Sequence, residues 1–327
     1  MTAPHSTDAP LLSVVVCTYN REALLSRCLE SLLAQDEPGV DYEILVVDNN
    51  CTDGTCTLVE GCKAQEPRLL RVMEPRQGLS HARNCGAAAA RGRWLAYVDD
   101  DAMVPLDYVA RCADIIARHA PDILGGPILP YYTTARPAWF RDSYEIRRHT
   151  TQTGFSATCP VSGSNFVIRR EVLLGLGGFD PALGMQGSTP GYGEERKVLE
   201  AYRERTPAAE QKVYYDLDLP VYHHVPPHKL RRAYILGRFF AGGVTMCRLK
   251  GYGWREMARL LCRAPGRHLA HAAREIRQHG LTGADYLDIA RHAVLDVGVV
   301  CQFIRSKLAS AASRNTGDKG HGKKHPA

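Results

Sequence analysis

Four short segments, Leu12–Cys17, Glu43–Asp48, Leu69–Met73 and Trp94–Val98, are apolar nearly throughout, and stretches of helical spacing separate them. Glu22–Gln35 carries Leu24, Leu25, Cys28, Leu29, Leu32 and Leu33 at that spacing. Asp53–Gln65, Leu79–Ala90 and Pro105–His119 read as further helices, the last with proline in its first turn. Strands that are apolar on both faces must be covered on both faces. The chain is therefore predicted to form an α/β fold with a mostly parallel central sheet flanked by helices. Right-handed crossovers bring the C-terminal ends of such strands to one edge, where open α/β sheets bind ligands.

Polar residues follow three of these strands: Thr18-Tyr19-Asn20, Asp48-Asn49-Asn50 and Asp99-Asp100-Asp101. The triplet constrains function most. Neighbouring ionised carboxylates repel, and burying one unpaired costs several kcal/mol. Three at a strand end make sense if a hard divalent cation sits there, because such ions take oxygen ligands and often hold a substrate phosphate. Side chains alternate along an extended chain, so Asp99 and Asp101 share a face and Asp100 takes the other. A solvated acidic turn is the alternative; the apolar run before the triplet weighs against it.

Later segments carry further polar groups. Gly163-Ser164-Asn165 precede a predicted strand, Phe166–Arg169, and a short helix, Glu171–Leu176. Gly177–Asp180 suit a turn. Gly191-Tyr192-Gly193 lead into a helix opened by Glu194 and Glu195, which runs to about Arg203. Lys212–Tyr215 and Pro220–Val225 read as closing strands, the second carrying His223 and His224. Trp139 and Phe140 can stack on a ligand or anchor a core.

Charge is uneven. Residues 1–225 hold 22 Lys+Arg and 29 Asp+Glu, a net −7, whereas residues 226–327 hold 19 and 6, a net +13. The expected organisation is a flexible segment over 1–10, a catalytic domain over 11–225 (with halves 11–101 and 102–225), a helical extension over 226–310 and a disordered tail over 311–327. Breaks in the extension are expected at Gly251-Tyr252-Gly253, Pro265-Gly266 and Gly280. Its basic helices can lie on an anionic membrane or pack with their basic face solvated. No nucleic-acid module is recognisable. No run of apolar residues is long enough to span a bilayer, and no secretory leader is evident, so a cytoplasmic protein is expected. The 11 cysteines are read as reduced thiols; Cys51, Cys56 and Cys62 stand closest together, but their spacing is not a CxxC pair and zinc binding is the lesser reading.

Taken in order, SVVVCTYNR (Ser13–Arg21), VVDNN (Val46–Asn50), GLSHARN (Gly78–Asn84), the Asp triplet, GSNFVIRREV (Gly163–Val172), GGFD (Gly177–Asp180) and GYGEE (Gly191–Glu195) resemble glycosyltransferase family 2, inverting enzymes of the GT-A fold, over roughly residues 11–225. Val221–Arg232 resembles the segment that closes the site in many bacterial polysaccharide-biosynthesis members. The resemblance implies sugar transfer from a nucleotide diphosphate sugar to a hydroxyl acceptor, a glycan or lipid-linked glycan, with Mn2+ or Mg2+. It implies that Thr18, Tyr19, Asn20, Asp48, Arg83, Asp99 and Asp100 serve the donor nucleotide, with Asp48 accepting from a base imino group and Asp99 facing the ribose. Asp101 would ligate the metal, joined by His223 rather than His224. Gly163, Ser164, Asn165 and Asp180 would shape the sugar and acceptor pocket. The general base would be Glu195, the second acidic position, although the family more often has Asp there, which leaves Glu194 open. Local alternatives stand beside these roles: a helix cap for Asp48, a surface ion pair for Arg83, a turn for Asp180, a locally hydrogen-bonded strand-end histidine for His223 and dipole complementation for the two glutamates. A nucleotidyltransferase or an inactive nucleotide-sugar-binding protein are the rival functions. The former would need a Gly-rich, basic loop after the first strand, and Cys17–Arg21 is not one.

Overall fold

The computed structural model describes residues 9–36, 39–187, 191, 193–279 and 283–317. In chain order the elements are β1 (Leu12–Thr18), α1 (Glu22–Leu33), β2 (Tyr42–Asp48), α2 (Thr55–Lys63), β3 (Leu69–Met73), α3 (Leu79–Ala89), β4 (Trp94–Asp99), β5 (Ala102–Met103), α4 (Tyr108–His119), β6 (Ile123–Gly125), β7 (Ile128–Tyr131), β8 (Gly154–Phe155), β9 (Phe166–Arg169), α5 (Arg170–Leu176), α6 (Glu194–Arg205), β10 (Val213–Tyr215), β11 (Val221–His224), α7 (Arg232–Lys250), α8 (Trp254–His279) and α9 (Gly283–Gly317). The chain forms two compact units. One runs to Tyr131 and resumes over Glu145–His224; the other takes Tyr132–Tyr144 and the chain from Val225 onward.

The first unit is built on an eight-stranded sheet of order β3-β2-β1-β4-β9-β6-β10-β8. β1, β2, β3 and β4 are parallel, as their two-sided hydrophobicity predicts, while β9 runs antiparallel between β4 and β6. Alternation divides the core. Val14, Val16, Val46 and Val98 face α1 and α4 through Leu25, Leu29, Val109 and Ile116. Val15, Leu45, Val47 and Tyr97 face the other layer, with Ala82 of α3, Phe166 of β9 and Val198 of α6. Each of the buried valines, leucines, isoleucine and phenylalanine among these contributes on the order of 1.5–3 kcal/mol.

Register fixes the site. Thr18 pairs with Asp48, and Cys17 with Asp99, so the three strand ends lie level at one edge. A small three-stranded sheet, β5-β11-β7, sits after the triplet. In it β11 runs antiparallel to β5 with His223 opposite Ala102, and His224 N–H donates to the Asp101 carbonyl at 2.8 Å. That pairing brings a histidine from far along the chain to the carboxylates.

The helical unit has its own apolar clusters. One joins Phe140 and Tyr144 to Val225, Leu230, Ile235 and Leu287, with Trp139 packed against it. Phe140 is thus a core anchor, and the Trp139 ring carries the Arg232 guanidinium at 5.1 Å. Three sequence expectations change. Pro105 lies before α4, not in its first turn: its carbonyl accepts from Tyr108 N–H in a turn and from Gln35 Nε2, the Leu106 carbonyl accepts from Asp36 N–H, and the helix begins after Asp107. α8 runs unbroken through Pro265-Gly266. Pro265 is exposed, so water can satisfy the carbonyl that its missing N–H frees. α9 continues to Gly317, past the expected start of the tail at 311. Residues 1–8, Tyr192, Gly280 and 318–327 lie outside the described residues.

Candidate active site

The site begins where β4 ends. Asp99 and Asp101 converge on His223: Nε2 lies 3.1 Å from Asp101 Oδ1 and 3.7 Å from Asp99 Oδ2. One ligand atom from each of the three can be chosen so that all lie within 4.8 Å of one another. Two carboxylates and an imidazole are a donor set suited to Mn2+ or Mg2+, with further positions left for a substrate phosphate. His224 instead packs its ring against Tyr131, with centroids 5.3 Å apart. Among the described residues, Cys51, Cys56 and Cys62 belong to no such cluster, and all 11 cysteines are free thiols.

Two arginines hold the triplet. Arg21, the last residue before α1, donates from one nitrogen to Asp100 Oδ1 and Asp101 Oδ2, each at 3.0 Å. Asp100 and Asp101 thus share one Arg21 nitrogen, and Asp101 also meets His223; β4 ends at Asp99, so the expected alternation does not separate Asp100 from Asp101 at this cation. Burial pushes the Asp100 carboxyl up; the Arg21 charge opposes this and the neighbouring aspartates reinforce it. Burial acts upward on Asp99 too, but nearby His223 and the charge of Arg83 outweigh it, and Asp99 is held below the ordinary carboxylate range.

Arg83 joins the two halves of the site. It is 3% exposed and reaches Asp99 Oδ1 at 3.2 Å, Glu194 Oε1 at 2.8 Å and the Gly163 carbonyl at 3.3 Å. Its guanidinium also lies 5.4 Å from the Phe179 ring centroid. Burial alone would depress its pKa, but Asp99, Glu194 and Glu195 reverse that and keep it protonated. The motif containing it works as a staple. Gly78 N–H donates to Asn49 Oδ1, Leu79 N–H to the Met185 carbonyl and Ser80 Oγ to the Leu183 carbonyl. Asn84 exchanges two hydrogen bonds with the Phe179 backbone. The α3 start thereby ties the sheet edge to the loop after Phe179.

Glu194 and Glu195 open α6 behind Gly193, whose φ of 96° is left-handed and suits glycine. The two glutamates differ. Glu194 is buried against Arg83, and its Oε2 has no hydrogen-bond partner among the described residues. Burial raises its pKa, Arg83 opposes and Glu195 adds to the rise. Glu195 is half-buried and forms no ion pair among the described residues. His149 is a neighbour that the sequence reading did not single out. Its Nε2 lies 2.8 Å from Ser162 Oγ, burial and Arg147 lower its pKa, and the Glu195 charge acts on it in the opposite sense.

The other expected residues are placed as follows. Thr18 is buried at the β1 end, and Tyr19 is half-buried beside the loop at Gly187. Asn20, at a left-handed φ of 53°, accepts from Thr52 N–H at 2.7 Å and links the first two strand ends. Asp48 is fully buried, held by Arg71 at 2.6 Å and by Cys51 N–H at 2.8 Å. Asn165 is fixed between Tyr108 Oη and the Leu219 carbonyl. Ser164 is buried next to it. Asp180 accepts from Ala182 N–H at 2.9 Å and pairs with Lys197. The structure thus gathers Arg83, Asp99, Asp101, Glu194 and His223 into one connected group, while Asp48, Asn165 and Asp180 are engaged in ties of the fold. Arg21 was legible as the end of the first motif, although its partners were not.

Comparison with known proteins identifies relatives of the chain and of its fold. The family model described as Glycosyl transferase family 2 matches residues 13–177, about half of the chain. The succinoglycan biosynthesis protein ExoM of Rhizobium meliloti is 27% identical over 260 residues, covering 75% of this chain and 78% of its own length. The glucosyl-dolichyl phosphate glucuronosyltransferase of Haloferax volcanii is 26% identical over 242 residues, with coverage of 72% and 75%. Among solved structures, S. aureus TarS 1-349 in complex with UDP-GlcNAc superposes with a TM-score of 0.54 at 17% identity, covering 87% of this chain and 90% of that one. The mannosyltransferase PcManGT of Pyrobaculum calidifontis, in complex with GDP-Man and Mn2+, gives 0.52 at 22% identity, with coverage of 97% and 90%. At such identities these two likenesses speak to the fold.

Proposed function

The chain belongs to glycosyltransferase family 2, and on that premise we propose that it moves a sugar from a nucleotide diphosphate sugar to an acceptor hydroxyl, with inversion and with the help of a divalent cation. The observation that carries the reading is the chain of contacts from His223 and Asp101 through Asp99 and Arg83 to Glu194, beside Glu195. It joins a donor end, suited to a diphosphate, to an acceptor end with an available carboxylate.

Roles follow from the chemistry. Asp99, Asp101 and His223 would hold Mn2+ or Mg2+, which when bound supplies positive charge to the departing diphosphate. Arg21 and Arg83 fix these carboxylates before substrate arrives. Glu195 is the general base: it takes the proton as the acceptor oxygen bonds to the anomeric carbon and the bond to the diphosphate oxygen breaks. Such a base is typically worth 10²–10⁴-fold. Glu194 is a positioning residue, because the oxygen that meets Arg83 fixes its carboxylate. The two solved neighbours that hold UDP-GlcNAc and GDP-Man support a nucleotide sugar as donor, and PcManGT supports Mn2+. The acceptor is a glycan or lipid-linked glycan, in keeping with the named relatives. No described helix is long and apolar enough to cross a membrane; the reading includes peripheral membrane contact through the basic C-terminal helices.

A screen of nucleotide sugars for binding and hydrolysis, with and without Mn2+, tests the proposal. Metal-dependent binding of at least one donor is expected. Absence of metal-dependent binding for every donor would contradict it.

A further inference from the structure

α8 divides into three sectors around its axis. Met257 and Ala264 are buried, and Leu260 packs against the cluster of Cys247, Val299 and Phe303. Beside that sector Trp254, Leu261, Leu269 and Ile276 are 69%, 51%, 72% and 41% exposed. Their spacing returns all four to one side of an α-helix. Next to this stripe run Arg255, Arg259, Arg263 and Arg277, all exposed and without an ion pair among the described residues. Single exposed leucines need no explanation, but an aligned apolar row beside an aligned cationic row does.

We propose that α8 is a docking surface for an anionic lipid bilayer, lying in the plane of the interface. The apolar row enters the boundary between headgroups and acyl chains, and the arginines meet lipid phosphates. Trp254 opens the helix, held edge-on to Phe303 with ring centroids 4.8 Å apart, and tryptophan suits the headgroup level. A cavity of about 500 Å³ adds to the same basic side: Arg267 and Arg274 of α8 line it with Lys250 and Tyr252. Asp296 neutralises part of that charge through Arg267, at 2.6 Å. Charge selects the occupant. A second copy would bring arginines against arginines, and a nucleic acid would leave the leucines and the isoleucine without apolar partners. The inference deepens the membrane clause of the proposed function and stands on the helical unit, so lipid binding and sugar transfer are measured separately.

The test is co-sedimentation of the full chain with vesicles of phosphatidylcholine alone or mixed with phosphatidylglycerol, at low and high salt. Binding only to the mixed vesicles, weakened by salt, is expected. Arg259→Gln and Arg263→Gln should each weaken it about fivefold, and Leu261→Asp with Leu269→Asp should abolish it. These positions are exposed, so circular dichroism should be unchanged; Leu269→Ser gives a milder check. Equal binding to both vesicles, binding to neither, or a dimer in sedimentation analysis that Leu269→Asp disperses would each overturn the proposal.

Discussion

Charge is handled in opposite ways in the two units. In the first, cations at the sheet edge are neutralised at contact: Arg21 by Asp100 and Asp101, Arg71 by Asp48, Arg83 by Asp99 and Glu194. In the helical unit, Arg141 and Arg291 pair with buried Asp288, but the α8 row faces outward and forms no ion pair among the described residues, although Glu256 lies near its start. The contrast follows from what each region must do. A buried ion pair is worth little net stability, but it fixes where its groups sit, and fixed groups are what a reacting diphosphate and hydroxyl require. An exposed row has no fixed geometry and responds to diffuse charge, with strength set by ionic strength.

The contrast is broken first at Arg83. Arg83→Met should destabilise the protein by about 3 kcal/mol, because it leaves the buried Glu194 carboxylate without its cation and removes one partner of half-buried Asp99; thermal unfolding with and without donor measures this. A drop of less than about 1 kcal/mol would mean that the site is not organised by paired charge. Next comes the donor end. Asp101→Ala should lower Mn2+ affinity at least tenfold in a titration followed by electron paramagnetic resonance, and His223→Ala should lower it less. Unchanged affinity in both would remove the three-residue cluster as the ion site.

The smallest effect is one of pH. The His149 pKa is lowered by burial and by Arg147. The unfolded chain therefore takes up the proton first, so stability is highest above about pH 6.5 and falls as pH drops toward the folded value. His149→Asn should flatten the stability curve just below pH 6.5 in denaturant melts. An unchanged slope would show that His149 titrates alike in both states.

The sheet was legible because both-face hydrophobicity admits few alternatives, and the helices because their period is long enough to register. β5 and β8 were not, because two residues carry no period. α8 was cut too early at Pro265, since the sequence does not say that this residue faces water. The Asp triplet announced a site, and the motif order located Arg83 and His223 near it. The partners stayed hidden: Arg83 meets a glutamate 111 residues away, and local sequence holds no record of that. The difference between Glu194 and Glu195 was invisible for the same reason, since both open one helix and only tertiary packing buries the first.

That difference is the centre of the account, and one paired measurement tests it: donor affinity and turnover of Glu195→Gln beside Glu194→Gln. Glu195→Gln should bind donor as tightly as the unmodified protein and lose 10²–10⁴-fold in turnover, while Glu194→Gln should retain more of it. Turnover at the unmodified rate in Glu195→Gln, or a greater loss in Glu194→Gln, would contradict the account.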